Sequence, residues 1–356
     1  MKKEIFPQYL LSIALTFSAI LPALAQRRTA SPVDTAYVGA YPRHLIGRLY
    51  LSQKYTNVDL LTATNAPRLK YRPNTSLNLG VGVTYGPLTL NLAYGFPFLN
   101  SDAAKGRTRY VDLQTHLYTQ RWVIDLFGQF YNGYYLAPQG LAARTPDDYY
   151  QRSDARLRIF GLSGYRVFNP RRFSYRAALI QTEWQKKSAG SWLAGFELYG
   201  GSFRGDSTLV PTVLAAQYPA PFVRELRFVK IGPGGGYAYT LVVKNHYFAT
   251  ASLTFNLNAT FSSEISEAGR TDDLTLRPNL LARFGVGYNS DRWAVSVSWV
   301  ENAVSVGSTD FYYGYLIRTG NYRLTVAKRF VPGRKLRKLR RQVEEKVSDI
   351  APKSGR

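Results

Sequence analysis

Residues 74–96, NTSLNLGVGVTYGPLTLNLAYGF, decide the fold. Leu77, Leu79, Val81, Val83 and Tyr85 alternate with Ser76, Asn78, Gly80, Gly82 and Thr84. After Gly86-Pro87 the pattern resumes, with Leu88, Leu90, Leu92, Tyr94 and Phe96 against Thr89, Asn91, Ala93 and Gly95. A side-chain period of two marks a strand with two unlike faces, and Gly-Pro between two such runs marks a turn. The apolar face is continuous and the other is small and polar. A soluble sandwich buries its apolar face and shows longer charged residues to water. A membrane barrel turns the apolar face to lipid and the small polar face to its lumen.

The same unit recurs at 45–52, 107–119, 122–130, 155–168, 173–184, 191–203, 225–243, 246–259, 279–289, 292–300 and 320–330. Residues 53–73, 100–106, 137–153 and 262–278 read as loops between them, the first with room for a strand extension. The tally is thirteen strands, and bacterial barrels of this kind have an even number. Either a strand hides in 209–216, making fourteen, or one segment does not span, making twelve. The reading adopted is all-β, a single antiparallel transmembrane barrel of about twelve strands. Pro233 within Gly232–Gly236 predicts a kink, because proline gives no N–H to a ladder.

Met1-Lys2-Lys3, the apolar run of residues 9–24 and Ala23-Leu24-Ala25 predict a secretory signal peptide over 1–25. Residues 26–42 then read as a periplasmic lead-in, 43–330 as the barrel and 331–356 as a basic periplasmic tail. No later run reaches the ~18 apolar residues of a spanning helix, so a membrane fold must be a closed barrel. In the tail, Leu336, Leu339, Val343, Val347 and Ile350 recur at helical spacing among arginines and lysines. That predicts a basic amphipathic helix, lying on the inner leaflet or solvated.

The chain has no cysteine, hence no disulfide and no thiolate metal site. Its net charge of +23 calls for anionic partners, and export demotes nucleic acid. Outer-membrane lipid and lipopolysaccharide phosphates are the expected ones. The abundant tyrosines, 27 in all, suit interfacial rings. Tyr85, Trp122, Phe168, Phe173, Tyr247, Tyr288 and Trp293 bracket the short turns and are expected to form the periplasmic girdle. The final strand places Tyr322, Leu324, Val326 and Phe330 on one face, like the terminal signal that the barrel-assembly machinery reads.

The lumen face is expected to carry Arg48, Arg158, Arg166, Arg283 and Arg323, with Asp112, Asp125, Glu183 and Glu197 as counter-charges and His116 among them. Such groups either pair and close the lumen or form an anion-selective constriction. A hydrolytic site around one of the three histidines needs a nucleophile, base and orienting group together. Asp112 and His116 lie four residues apart on one strand, ~13 Å at about 3.3 Å per residue, too far to pair. No metal-ligand spacing and no cofactor motif is found. The expected function is non-enzymatic: a narrow, porin-like pore or an uptake protein for a small anionic or amphipathic solute. A lumen-closed structural or partner-binding barrel and a lipid-modifying enzyme are the alternatives.

Four separated segments carry a resemblance: YRPNT at 71–75, WQKKSAGS at 184–191, GPGGGY at 232–237 and GYNSDRW at 287–293. They resemble an uncharacterised, domain-of-unknown-function family of exported Gram-negative proteins placed near the outer-membrane barrels. The resemblance covers roughly residues 33–331 and implies the fold. It implies no activity, ligand or site residue.

Overall fold

Among the described residues the chain forms fifteen strands, the long ones carried by two-residue alternation. The computed structural model describes residues 33–334 apart from 63–65, 86–87, 97–98, 100–101 and 308–312. In chain order the strands are β1 Val38–Ala40, β2 Leu45–Thr62, β3 Leu69–Arg72, β4 Asn78–Tyr85, β5 Leu88–Gly95, β6 Arg109–Tyr118, β7 Trp122–Ala137 and β8 Gln151–Val167. The short helix α1 Tyr175–Ala178 follows, then β9 Glu183–Gln185, β10 Ala189–Arg204, β11 Val223–Val243, β12 Tyr247–Ser266, β13 Gly269–Asn289, β14 Trp293–Gly307 and β15 Tyr313–Phe330.

Thirteen strands form one antiparallel sheet, and ten of them close a ring, with β15 pairing β2 along its whole length. The ring closes through β3, which lies between β2 and β7 near the long-loop end, Tyr71 facing Val58 on one side and Leu136 on the other. Toward the short-turn end β4 and β5 hang on β2, and β6 hangs on β7. Among the described residues no backbone pairing joins β5 to β6.

The outer wall is apolar. Val81 and Val83 on β4, Phe196 and Leu198 on β10, Ile231 on β11, Phe255 and Leu257 on β12 and Val297 on β14 are all exposed. Facing inward along β12 are Thr250, Ser252, Thr254, Asn256, Asn258 and Thr260, every one buried. Apolar outside and polar inside is the inverse of a soluble protein and the signature of a membrane-spanning barrel. No described helix is long and apolar enough to cross a membrane.

The twelve-strand expectation is corrected to ten ring strands and three more. Residues 173–184 are not a wall strand. Ser174 caps α1, its Oγ accepting from the Ala177 N–H at 3.2 Å, and β9 pairs only with β1. The run Ala177-Ala178-Leu179-Ile180 has no alternation to hold it in the sheet. Nor does 209–216 hide a strand; a 3-10 helix occupies Thr212–Gln217. Conversely, 262–278 is not a loop, since β12 and β13 pair continuously up to Ser266 and Gly269. From 263 to 273 both faces are exposed or only partly covered, so the ladder persists there without apolar alternation, while Leu274 and Leu276 still alternate with buried Thr275 and Arg277. The 53–73 segment does carry a strand extension, the upper half of β2, and holds all of β3 as well.

The expected kink in β11 does not occur. Ile231 faces Ala259 and Gly234 faces Asn256 in one register, and Pro233 lies opposite Phe196. The glycines are there for close approach: a Cβ on Gly232 or Gly236 would strike the Leu257 or Leu253 carbonyl of β12. Within the segment read as a lead-in, Val38–Ala40 forms β1 and pairs with β9. The expected signal peptide, 1–25, and the tail helix beyond residue 334 lie outside the described residues.

Candidate functional site: the barrel interior

Residues 169–188 leave the wall and fill the short-turn mouth. Asn169 starts the excursion, its side chain donating to the Gly190 carbonyl at 2.8 Å and its N–H to Ser191 Oγ at 2.9 Å. Phe173, Tyr175, Ala178 and Leu179 then bury against Val123, Tyr165, Leu193, Phe248 and Leu281 of the wall. Polar bonds fix this plug. Arg48 donates to the Ile180 carbonyl at 2.8 Å, and Gln181 to Ser296 Oγ at 2.8 Å. Arg329 donates to the carbonyls of Gln181 at 2.9 Å and Glu183 at 3.0 Å. Deeper in, the Tyr175 hydroxyl bonds Ser252 Oγ at 2.6 Å. At the rim Trp184 stacks on His246 with centroids 5.1 Å apart.

The connection between β10 and β11 folds over the opposite mouth. Leu209, Val210 and Tyr218 join a cluster with Leu69, Tyr71, Phe203 and Ile317. Arg152 ties the cap down by donating to the Thr208 carbonyl at 2.8 Å, and the Tyr218 hydroxyl donates to the Pro67 carbonyl. Burial pushes the Tyr218 phenol up to about 12.

Between plug and cap the lumen is crossed by charge networks. Asp125 on β7 receives His116 Nδ1 at 2.6 Å and pairs with the Arg283 guanidinium from β13, both partners of that ion pair fully buried. Asp112 holds Lys54 Nζ at 3.3 Å and the Tyr131 hydroxyl at 2.6 Å. Asp59 lies between Arg72 at 2.5 Å and Arg318 at 3.0 Å. Glu197 accepts from Asn258 at 2.7 Å, and Glu183, in the plug, pairs with Arg176 at 3.1 Å. Arg48 and Arg323 differ. Among the described residues neither has a carboxylate partner: Arg48 donates to Thr84 Oγ1 and Ile180 O, and Arg323 lies 4.4 Å over the Tyr50 ring.

Arg48, Asp112, His116, Asp125, Glu197, Arg283 and Arg323 thus share the interior. Arg158 and Arg166 do not, which corrects the sequence expectation. On β8 the inward residues are Leu157, Ile159, Ser163, Tyr165 and Val167, all buried, so both arginines face out. The inner side of β8 is apolar because it packs on the plug and cap, and polarity therefore misassigns its faces. Phe173 is corrected for the same reason, being buried in the plug rather than in a girdle. Trp122, Phe168, Tyr247 and Trp293 are exposed on the outer wall at the short-turn end, with Tyr85 and Tyr288 partly covered there. Tyr322, Leu324, Val326 and Phe330 face outward on β15. Sequence reasoning missed Lys54, Asp59 and Arg318, which lie in or against a segment read as loop. It also missed Arg329, although its parity with Arg323 could have found it.

The hydrolase alternative meets a geometric obstacle. His116, Asp125 and Ser163 share one cross-strand row, with Asp125 in the middle. A triad needs the histidine between acid and nucleophile, so His116 is not placed to take the Ser163 proton. Among the described residues no group of three His, Asp or Glu side chains is arranged to hold a metal.

A family comparison matches residues 32–330 to the family described as Domain of unknown function (DUF4421). The chain belongs to that family. No curated protein matches it. Among solved structures it is similar to OmpT of Vibrio cholerae, an outer-membrane protein, at 9% identity and a TM-score of 0.27, over 80% of this chain and 97% of that one. It is also similar to the toluene transporter TodX of Pseudomonas putida, at 9% identity and a TM-score of 0.29, over 82% and 92% of the two chains. At that similarity the neighbours say nothing of what enters or binds here. This family member is a barrel of the outer-membrane type, with a lumen plugged at one mouth and capped at the other.

Proposed function

We propose that the chain is a gated outer-membrane uptake barrel, admitting a small anionic or amphipathic solute when the plug of residues 169–188 moves. The observation that carries this reading is the Arg48–Arg323 neighbourhood beneath the plug. Among the described residues, two guanidiniums are held there by carbonyl, hydroxyl and ring partners alone. A cation without a counter-charge is costly in a desolvated lumen, and an arriving anion relieves that cost. Arginine rings favour anions in pores for the same reason. The bonds of Arg48 and Arg329 to plug carbonyls would be exchanged for bonds to the solute. Reversal potentials in planar bilayers test it: anion preference is expected for the native chain, and its loss in R48Q/R323Q.

A second reading, a lumen-closed structural or partner-binding barrel, is supported by the Asp125–Arg283 pair, which ties β7 to β13 across the interior. Absence of conductance under every condition favours it. The lipid-modifying reading predicts loss of lipid turnover in H116A, and unchanged turnover would dispose of it.

A further inference from the structure

On the outer wall, where β6, β7 and β8 rise toward the long loops, Arg107, Arg109, Arg156 and Arg158 surround a groove of about 490 Å³, with Asn132 and Ser153. Register places them together: Arg109 faces Asn132, Asn132 faces Arg156, and Phe130 faces Arg158. One ion pair touches the cluster, Asp206 at 3.5 Å from Arg156. Among the described residues, no carboxylate pairs with Arg107, Arg109 or Arg158. Four cations against one acid is not a self-neutralising surface.

Position gives the patch its meaning. Arg158 lies about ten residues along β8 from Phe168, which marks the opposite interface. At about 3.3 Å per residue and a tilt of roughly 40°, that is ~25 Å, the height of a barrel's apolar band. Directly below lie Val111 and Phe160, the latter 56% exposed and packed edge-on against Phe130 at 5.3 Å. A guanidinium cluster thus caps an aromatic, lipid-facing wall at the outer bilayer surface.

We infer that this groove binds the phosphorylated headgroup of an outer-leaflet glycolipid of the lipopolysaccharide type, its acyl chains lying on Val111, Phe130 and Phe160. Arginine takes phosphate in bidentate, charge-assisted bonds, and more than one guanidinium reaches one headgroup. The inference does not depend on whether the lumen opens.

The test uses the full chain refolded in detergent and native mass spectrometry with bis-phosphorylated lipid A, the same lipid stripped of phosphate, and phosphatidylglycerol. R109Q/R158Q is compared with R292Q, at the opposite mouth. Folding of each is checked by heat-modifiable migration. The expected result is at least tenfold weaker lipid A binding by R109Q/R158Q, and by the native chain once phosphate is removed, with R292Q unchanged. Inorganic phosphate at millimolar concentration should displace lipid A only in part. Equal binding of the stripped lipid, equal binding of phosphatidylglycerol, undiminished binding by the double variant or full displacement by inorganic phosphate would each overturn the assignment.

Discussion

Replacing Leu253 by arginine probes the facing of the wall at one depth. Leu253 is on the outer side of β12, 39% exposed, about six residues above Tyr247 at the short-turn interface. At about 3.3 Å per residue and roughly 40° of tilt it stands ~15 Å above that interface, near mid-bilayer. A cation there costs roughly 2–4 kcal/mol, whereas near an interface the cost falls to about 0–1 kcal/mol. Phe261 offers the comparison, being 55% exposed on the same side of the same strand but about fourteen residues above Tyr247, ~35 Å by the same conversion and past the far edge of a ~25 Å apolar band. Both substitutions keep the β12 ladder to β11 and β13, so strand propensity hardly separates them. Urea titration of chains refolded into lipid vesicles, read by heat-modifiable migration, measures both. L253R should lose roughly 2–4 kcal/mol and F261R about 1 kcal/mol or less. Equal losses, or the larger loss in F261R, would refute the depth assigned to the strand.

D125N should cost about 3–5 kcal/mol in the same titration, because Arg283 is left charged and buried without its partner; a loss under about 1 kcal/mol would count against the cross-lumen pair. Truncation after Arg334 should leave assembly intact, while F330A should impair it, since Phe330 ends β15 on the outward face. Urea-washed outer-membrane fractions of the two variants decide this, and the reverse pattern would transfer the assembly role to the tail. R48Q/R323Q should keep the fold and lose anion preference, because among the described residues neither Arg48 nor Arg323 has a carboxylate partner for the change to orphan.

Residues 74–96 announce the architecture because their two faces meet unlike media, lipid on one side and polar interior on the other. Asp112, Asp125, Glu197 and Arg283 were legible for the same reason. The rule fails wherever the medium changes. On β8 the interior is apolar, since Leu157 and Ile159 pack on the capped end and Tyr165 on the plug, so Arg158 and Arg166 were placed on the wrong side. From 263 to 273 both faces of β12 and β13 are exposed or only partly covered, and Glu264, Arg270 and Asp272 hid a continuous ladder. The plug escaped notice because its contacts are long-range: Arg329 reaches Gln181 and Glu183, and Arg48 reaches Ile180, none near in sequence. The bridging of β2 to β7 by β3 is similarly invisible, since Leu69 and Tyr71 are too few to show a period.

The central claim is that the plug moves. Because the chain has no native cysteine, Q181C/S296C introduces a unique thiol pair at a contact of 2.8 Å between plug and wall. Bridged by a short reducible bis-methanethiosulfonate linker, the pair fixes the plug to β14. Planar-bilayer current through this variant is recorded bridged and again after reductant. The account predicts no current when bridged and an anion-selective current once the bridge is reduced. Current that is the same in both states, or absent in both, would contradict it.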